Sequence, residues 1–491
     1  MGEAAAAEAR GEARFRPLAE NRRTLSGLDL ALLWFGAAIV VDEIWSGAQI
    51  VSSGLFMAVL IILVGRFLSN LLLGAVSRMG QEAGQPTMVL TRLSFGNLGS
   101  YLPAVANILQ LIGWTSYMLI IACRATRELG VFIVPPEVAE RITPWLIQGG
   151  VESYFDPGVM VLTGLLTTAW AMGGERFWHW AQRIAGALLF VVTLVMTYAI
   201  LKSVPLGEIA QVRVEADRGL MLNFDFVVAM GISWVPLAAD YGRFARSRRA
   251  SFWGTHLGYF AGSVWMYVVG VLGGLAFALK NPGTPIYEFE PARLVAHSLE
   301  QLGGPHALKI VVVGLTLVLI STLTTTFLDI YSAAVSSLNL WPKLSERWLS
   351  FWAGMLGIVL ALWFAPSLFA GYFDFLLMIN SVFLPIFAVV LTDYLILRRG
   401  KLAPLGDAEL SRLPRVSGAA VIAFVVGLLI SVWGQSPSWA HTLLGLPAWP
   451  EWKTGSAIPS FIITALVYLG LVRLMERRGK RGKETYEMEV S

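Results

Sequence analysis

Two adjacent carboxylates interrupt the first long apolar stretch of the sequence. Asp42 and Glu43 lie deep inside the apolar run from Trp34 to Ile50. An ionisable side chain at membrane depth is costly unless it faces a cavity or a charged partner. We therefore predict that Glu43 binds a ligand or carries a coupled proton; the alternative is a structural pair with Arg66 or another buried polar group. Asp42, roughly 100° away around a helix, is predicted to serve a different surface.

A second apolar stretch contains residues that interrupt a helix. Gly231, Ser233, Trp234 and Pro236 lie within about one and a half helical turns. Proline has no backbone N–H and clashes with the preceding turn. In lipid, the backbone groups freed in this way are tolerated only where they are buried in protein or line a cavity. Two interrupted helices, one opening each half of a chain, indicate an inverted-repeat transporter whose site lies at the membrane midplane.

The composition places these residues in a membrane protein. Of 491 residues, 56% are hydrophobic and 14% are charged, whereas a soluble domain carries about 25% charged residues. A helix that spans the bilayer needs about 20 mostly apolar residues, and about twelve stretches meet this requirement. They are 27–50, 54–77, 100–126, 157–174, 177–203, 224–241, 253–279, 306–338, 348–365, 368–397, 416–434 and 457–475.

These stretches predict an all-α integral membrane protein of about twelve transmembrane helices. Spans one to five and six to ten form a five-plus-five inverted-repeat core, and spans eleven and twelve are additions. The predicted divisions are an N-terminal tail over 1–26, the core over 27–400, two additional helices over 401–476 and a C-terminal tail over 477–491. Both tails are charged and predicted to be mobile. Most of the 37 Lys and Arg residues fall on one side, which predicts a bacterial-type inner membrane protein with both termini in the cytoplasm.

The remaining residue types argue against other classes of protein. The basic residues lie in short loops between spans, so the net charge of +4 reflects topology and not a nucleic-acid-binding face. The five histidines show no metal-ligand spacing, and the single cysteine cannot form an intramolecular disulfide. No cofactor is predicted, and the sequence leaves the oligomeric state open. An intramembrane enzyme would need a catalytic pair at one depth, but the histidines lie near span ends.

Four segments, in order along the chain, carry a family resemblance. They are Gly84-Gln-Pro86 followed by Arg92-Leu-Ser-Phe-Gly96, the pair Gly113-Trp114, the stretch 239–246 and the stretch 392–399. Together they resemble the nucleobase–cation symporter-1 family, which includes cytosine, hydantoin and hydroxymethylpyrimidine permeases. The runs around Trp34 to Glu43 and Trp234 to Leu237 are most similar to the hydroxymethylpyrimidine branch. The resemblance implies a ten-helix inverted-repeat core, an aromatic sandwich for a flat ring, and coupling to sodium or protons.

The resemblance also implies residues that bind the substrate. The family's stacking tryptophan falls on Trp114, and Trp234 at the second break would form the opposite face of the sandwich. Packing in the protein core is the alternative for both indoles. Gln110 and Tyr117 share a helical face with Trp114, although the family's amide position is occupied here by Leu111. The backbone at the second break would bond ring atoms of the substrate, which adds two further candidates, Gly231 and Ser233.

Other polar residues within the spans are candidates for the ligand edge or for structural roles. Glu43 would accept hydrogen bonds from the exocyclic amine and from a protonated ring nitrogen of an aminopyrimidine. That arrangement suits hydroxymethylpyrimidine or cytosine better than uracil. Asp329 and Asn380 are further polar candidates at membrane depth. Asp240 and Asp393 are predicted to fix cytoplasmic helix ends.

Hydroxyl groups in the eighth span predict a cation site. Ser321, Thr324 and Thr325 are spaced to share one helical face, and sodium prefers oxygen ligands. Backbone carbonyls near Val40 and Val41, beside the first break, would complete an oxygen cage. In the family, the hydroxyl pair that binds sodium falls on Thr324 and Thr325. The alternative is that these hydroxyls bond their own helix and bend it.

The sequence thus predicts a secondary active symporter. Its substrate would be hydroxymethylpyrimidine or cytosine, imported with Na+ or H+ by alternating access. An allantoin, hydantoin or purine permease of the same fold is the alternative within transport. A channel or an intramembrane enzyme is the alternative from another class. The predicted partners are a small heterocycle and the lipid bilayer, not nucleic acid.

Overall fold

The computed structural model describes residues 16–135, 137–138, 155–173, 178–215, 219–286, 289–341, 343–435 and 455–490. Apart from one isolated bridge between Leu25 and Ala245, these residues form helices, turns and loops. The main helices are α1 Gly27–Ala38, α2 Val41–Gln49, α3 Leu55–Ala83, α4 Tyr101–Ile133, α5 Phe155–Gly173, α6 Trp178–Ser203, α7 Leu220–Trp234, α8 Ala238–Gly242, α9 Arg248–Lys280, α10 Pro291–Glu300, α11 Ala307–Ser337, α12 Glu346–Ala370, α13 Tyr372–Thr392, α14 Gly418–Gln435 and α15 Ala457–Val490. Single turns of helix lie at Glu20–Arg22, Val51–Ser53, Thr87–Leu90, Arg92–Phe95, Leu206–Ile209, Val235–Leu237, Asp393–Leu397 and Asp407–Ser411.

Every predicted span coincides with a helix or with a broken helix, which confirms the all-α class. Within the described ranges, nine helices are long and apolar enough to cross a membrane. The span predicted over 27–50 is divided into α1 and α2, and the one over 224–241 is divided into α7 and α8. Both divisions fall at the interruptions that the sequence indicates.

The last helix is longer than the sequence predicts. It continues to Val490, whereas the predicted span ends at 475 and the predicted mobile tail begins at 477. The added residues are rich in Glu, Lys and Arg, which are strong helix formers. The helix therefore extends beyond its apolar part into the predicted C-terminal tail. The predicted N-terminal tail lies outside the described residues up to residue 15.

The helix that contains the second break lies at the centre of the bundle. In the apolar window of Leu220–Gly242, 83% of the residues are buried, and the value is the same for Tyr372–Leu397. Only 17% are buried in the window of Ala457–Arg477, so α15 offers most of its surface to lipid. Irregular backbone at membrane depth needs protein or a cavity around it, and the second break has protein on all sides.

The first break is a short extended segment between α1 and α2. Val40 has φ −137° and ψ 153°, and three consecutive β-branched residues, Ile39, Val40 and Val41, favour such a conformation over helix. The Val40 N–H donates to the Ala38 carbonyl at 3.0 Å, and the Glu43 N–H donates to the Val40 carbonyl at 3.3 Å. Every residue of α2 is buried. The extended segment therefore brings main-chain polar groups into the protein interior.

The second break contains the proline that the sequence singled out. α7 ends at Trp234, and Val235–Leu237 form one tight turn before α8 begins at Ala238. Pro236 lies inside that turn, where its missing N–H ends the regular hydrogen-bonding pattern of α7. The turn is completely buried, so its freed carbonyls face neighbouring protein groups and not lipid.

Glycines let α9 approach the short helix α2 very closely. A Cβ atom on Gly270 would overlap the carbonyl oxygen of Ile44, and one on Gly47 would overlap the carbonyl oxygen of Tyr267. An isolated helix of nine residues is too short to be stable by itself. The close contact with α9 therefore holds α2 in its place beside the first break.

We expect Gly270→Ala to destabilise the protein, because its new methyl group would meet backbone atoms that cannot move aside. Gly130→Ala in α4 is the matched control, since nothing lies within 4 Å of a Cβ there. Alanine favours a helix over glycine by about 1 kcal/mol, so the control variant should melt at or above the wild-type temperature. Thermal unfolding in detergent would check both. Equal melting temperatures for the two variants would contradict the close packing of α2 on α9.

Candidate functional site

A cavity lies between the two broken helices and the helices that face them. It is nearly closed: the space that could hold water-sized molecules is about 20 Å³, far below the roughly 300–1,000 Å³ of common small-molecule sites, so its wall must open to admit a heterocycle. Two indoles, two carboxylates, two hydroxyls and two leucines form its wall. The lining residues are Asp42, Leu111, Trp114, Ser233, Trp234, Leu237, Thr325 and Asp329.

The two predicted sandwich residues, Trp114 and Trp234, both line this cavity. They are almost completely buried, with 6% and 9% of their surface exposed. Phe375 braces the Trp114 ring edge-to-face at 5.3 Å between centroids, and Trp34 braces Trp234 in the same way at 6.2 Å. Edge-to-face contacts of this kind hold aromatic rings in fixed orientations. The structure therefore brings the two indoles to one cavity in braced positions.

Asp42 and Asp329 form the charged part of the cavity wall. Asp42 is 3% exposed and Asp329 is 6% exposed. One oxygen of each, Oδ1 of Asp42 and Oδ2 of Asp329, is buried with no hydrogen-bond partner. Buried polar atoms are normally paired, so each of these two oxygens is able to accept a hydrogen bond from a further donor. Asp42 lies in the first turn of α2, where the positive end of the helix dipole favours a carboxylate.

Glu43 does not line the cavity. It is completely buried and forms an ion pair with Arg66 of α3. The Tyr259 hydroxyl donates to its Oε1 at 2.6 Å, and the Ser263 hydroxyl donates to its Oε2 at 2.8 Å. With both oxygens bonded inside the protein, Glu43 has the structural partner that the sequence left open as the alternative. The substrate-binding role predicted for it has no contact with the cavity to support it.

The assignment of the two carboxylates depends on the break at Val40. The extended conformation of Val40 sets the direction in which α2 begins. The sequence indicates that Asp42 and Glu43 face different surfaces, and they do. It does not indicate which of the two surfaces is the cavity, because that depends on the direction in which α2 restarts.

The polar residues predicted near Trp114 and at the second break have structural contacts. The Gln110 side-chain amide donates to the Ser233 carbonyl and to Asn107 Oδ1, both at 2.9 Å. The Ser233 hydroxyl lines the cavity and donates to the Met230 carbonyl at 2.7 Å. Gln110 therefore stabilises the second break and does not reach the cavity, which Leu111 lines in its place.

Three further predicted residues lie behind the cavity wall. Tyr117 packs on Phe375 with ring centroids 4.7 Å apart, so it supports the ring that braces Trp114. Gly231 faces α3, where a Cβ atom would overlap the Ser69 hydroxyl. Asn380 is completely buried in α13, and both of its side-chain amide atoms lack a hydrogen-bond partner. None of the three belongs to the cavity lining.

The hydroxyls predicted to bind a cation all lie buried on α11. Thr324 and Thr325 both donate to the Ser321 carbonyl, at 2.8 Å and 3.1 Å. These are the bonds of the alternative interpretation, in which hydroxyls bond their own helix. Each hydroxyl oxygen keeps lone pairs, and Thr325 also lines the cavity beside α2. In the ranges that the structure describes, no group of three or more His, Cys, Asp or Glu residues could hold a metal ion.

Asp240 and Asp393, predicted to fix helix ends, form hydrogen bonds with the segment that follows α3. Asp240 Oδ1 accepts a hydrogen bond from the Thr87 N–H at 2.8 Å. Asp393 Oδ2 accepts from Arg398 at 2.7 Å and from the Ser94 hydroxyl at 3.2 Å. These bonds join the segment after α3 to α8 and to the end of α13.

Glu43→Gln should destabilise the protein without changing the cavity. It would leave the Arg66 guanidinium buried without its counter-charge, and breaking a buried pair in this way costs about 3–5 kcal/mol. We expect a lower melting temperature and unchanged ligand affinity in the folded fraction. Asp42→Asn is the matched variant and should behave in the opposite way.

Thermal unfolding and ligand titration of the two purified variants would check this prediction. The double variant Glu43→Gln/Arg66→Met should recover part of the lost stability, because it removes both members of the pair. A Glu43→Gln protein that melts normally but no longer binds ligand would contradict the structural role.

Comparison with known proteins connects this arrangement to a family. A family model described as permease for cytosine/purines, uracil, thiamine and allantoin matches residues 17–447. The cytosine permease of Escherichia coli strain K12 is 25% identical over 374 residues, which cover 74% of this chain and 76% of that protein.

Solved structures share the fold at low sequence identity. Mhp1 in its inward-facing conformation has a TM-score of 0.73 and 17% identity, covering 94% of this chain and 93% of Mhp1. Mhp1 described as a nucleobase–cation-symport-1 family transporter, in a closed conformation with bromovinylhydantoin bound, has a TM-score of 0.70 and 18% identity, covering 94% and 95%. This likeness confirms the inverted-repeat fold predicted from the two breaks. Since the family model spans most of the chain, the protein is a multi-pass membrane permease and not an enzyme, and it belongs to the nucleobase–cation symport-1 family.

Proposed function

We propose that this permease imports a pyrimidine-type nucleobase or precursor, hydroxymethylpyrimidine or cytosine, together with Na+ or H+ by alternating access. The observation that carries the proposal is the cavity in which Trp114 and Trp234 meet two carboxylates. A flat heterocycle with amino groups has the two properties that such a wall selects. Its faces stack on indoles, and its edge donates hydrogen bonds.

The two indoles supply binding energy that does not depend on the identity of the ring. Stacking of a base on an aromatic side chain contributes about 1–3 kcal/mol. Trp114 comes from α4 and Trp234 from the end of α7, so a ring held by both contacts two separate helices. Leu111 and Leu237 complete an apolar surround, which favours a small ring over a flexible polar substrate.

We assign to Asp42 the role that the sequence predicted for Glu43, which is to accept hydrogen bonds from the edge of the substrate ring. An ionised carboxylate only accepts hydrogen bonds, so it favours the amine of an aminopyrimidine over the carbonyl at the same position of uracil. The Ser233 hydroxyl lies in the same wall and can donate or accept. The E. coli relative is a cytosine permease, which agrees with an aminopyrimidine as substrate.

The candidate for cation coupling is the face that α11 turns toward the first break. Ser321, Thr324 and Thr325 offer hydroxyl and carbonyl oxygens there. Main-chain carbonyls belong to Val40, which is extended, and to Val41, the first residue of α2. Oxygen ligands of this kind suit sodium. Proton coupling is the alternative, with a cavity carboxylate as carrier. We further propose that the protein lies in the plasma membrane with both termini in the cytoplasm, as the distribution of Lys and Arg indicates.

A second candidate function is transport of a hydantoin, allantoin or purine on the same scaffold. It is favoured by Mhp1, one structure of which holds bromovinylhydantoin. Such rings would also stack on the indoles, but hydantoin and allantoin present N–H groups flanked by carbonyl oxygens, where an aminopyrimidine presents an amine beside a ring nitrogen. The edge of the ring, and not its faces, therefore separates the two candidates.

A ligand-stabilisation screen on the purified permease tests the proposal. Hydroxymethylpyrimidine, cytosine, uracil, hypoxanthine, allantoin and a hydantoin would be compared with and without sodium. A ligand that binds only the folded state adds about 2.7 kcal/mol of stability at 100 times its Kd. We expect aminopyrimidines to raise the melting temperature most, and a larger shift in sodium would support the site on α11. Stabilisation by hydantoin or allantoin alone would favour the second candidate, and no shift with any compound would contradict both.

Trp114→Ala should weaken the binding of all heterocycles by a similar factor, because stacking does not depend on the polar groups at the edge of the ring. The loss of about 1–3 kcal/mol corresponds to about 5- to 150-fold in Kd. Trp363→Ala is the matched control, since Trp363 of α12 is 76% exposed and lies outside the cavity lining. Titration of cytosine and uracil into both variants would check this. A loss confined to one ligand would contradict a stacking role for Trp114.

A further inference from the structure

The two cavity carboxylates belong to different halves of the fold. Asp42 lies on α2, beside the first break, and Asp329 lies on α11. They line one cavity, and the charge of Asp42 acts on Asp329. Two carboxylates that share a low-dielectric cavity repel each other when both are ionised, so both stay ionised only when something positive lies between or beside them.

The described part of the cavity wall offers no such positive charge. Its lining residues include no Lys, Arg or His. Arg66 of α3 is the guanidinium that acts on Asp42, but it is already paired with Glu43. Glu43 also acts on Asp42, as a like charge. The remaining titratable neighbours of Asp42 are uncharged phenols, those of Tyr259 and Tyr267 on α9 and of Tyr372 on α13.

The unpartnered atoms show what a ligand would have to supply. Asp42 Oδ1 and Asp329 Oδ2 are both acceptors without a donor, so a ligand that satisfies them needs at least two donor groups. Positive charge on those donors would shorten and strengthen both hydrogen bonds. The indole faces of Trp114 and Trp234 also attract a cation that is placed over them. The carboxylates and the indoles thus both favour a positively charged ligand.

We propose that Asp42 and Asp329 together bind an amidinium-type cation, a flat group in which two N–H donors share one positive charge, so that the transported heterocycle is bound as a monocation. This inference rests on the proposed function and narrows its substrate class. A protonated aminopyrimidine meets the requirement, because its exocyclic amine and its ring N–H lie side by side. A neutral pyrimidine whose edge carries carbonyl oxygens does not meet it.

Benzamidine and benzamide make a matched pair of probes for this site. Both have a six-membered aromatic ring with a planar substituent, but benzamidine is a cation at neutral pH and benzamide is neutral. Their affinities for the full-length purified permease would be measured by thermal shift and by competition with cytosine, in sodium and in choline buffer. We expect benzamidine to bind at least tenfold more tightly than benzamide.

Substitution of each carboxylate separates a binding role from a structural one. Asp42→Asn and Asp329→Asn keep the shape of the side chain but remove its charge, so each should move the benzamidine-to-benzamide affinity ratio toward one. Each should also lower the cytosine-to-uracil ratio, which a general loss of folding would not do. Glu300→Gln removes one negative charge at the end of α10, outside the cavity lining, and should leave both ratios unchanged.

Three outcomes would overturn the inference. The first is equal binding of the two probes, and the second is affinity ratios that neither aspartate variant changes. The third is stabilisation of the protein by sodium alone that Asp329→Asn removes, because the two carboxylates would then form a sodium site. If neither probe binds, the cytosine-to-uracil affinity ratio is the test, and a ratio that neither aspartate variant lowers would overturn the inference. Binding of nucleobases without any preference for the cation would leave the proposed function intact and remove only this inference.

Discussion

Arg66 and Glu43 form the buried ion pair on which the first half of the site depends. The pair joins α3 to α2, and Tyr259 and Ser263 attach the same carboxylate to α9. A nine-residue helix that follows an extended segment has little stability of its own, so these bonds and the glycine contacts with α9 hold it. With Glu43 fixed in this way, its neighbour Asp42 is turned toward the cavity.

The cavity is shared between helices from both halves of the fold. Asp42 and Trp234 come from the two broken helices, whereas Trp114 and Asp329 come from α4 and α11, which face them. A ligand that contacts all four residues links elements that a transport cycle must move relative to each other. Binding can shift such an equilibrium only through differential contacts in the two states. A site divided between the two sets of helices provides those contacts.

The sequence was sufficient for the fold and for part of the site. Length and hydropathy predict the helices because lipid requires them, and Pro236 and the buried carboxylates indicate both breaks. Trp114, Trp234, Ser233 and Thr325 were predicted for the site and line the cavity. The choice between Asp42 and Glu43 could not be predicted, since the conformation of Val40 sets the direction of α2. Gln110 and Tyr117 share a helical face with Trp114, but a face is wider than the cavity, and both instead pack behind its wall.

Counterflow in liposomes tests most directly whether this cavity serves a carrier of aminopyrimidines. Liposomes that contain the permease would be loaded with unlabelled cytosine or hydroxymethylpyrimidine and diluted into a trace of the same compound in labelled form. A carrier should transiently raise the concentration of the labelled compound inside the liposomes above its concentration outside. This happens because each exit of the unlabelled compound leaves an outward-facing empty site that binds the labelled compound. The account predicts this overshoot for at least one of the two compounds and its loss in Asp42→Asn. Equilibration without an overshoot, or no uptake of either compound, would contradict it.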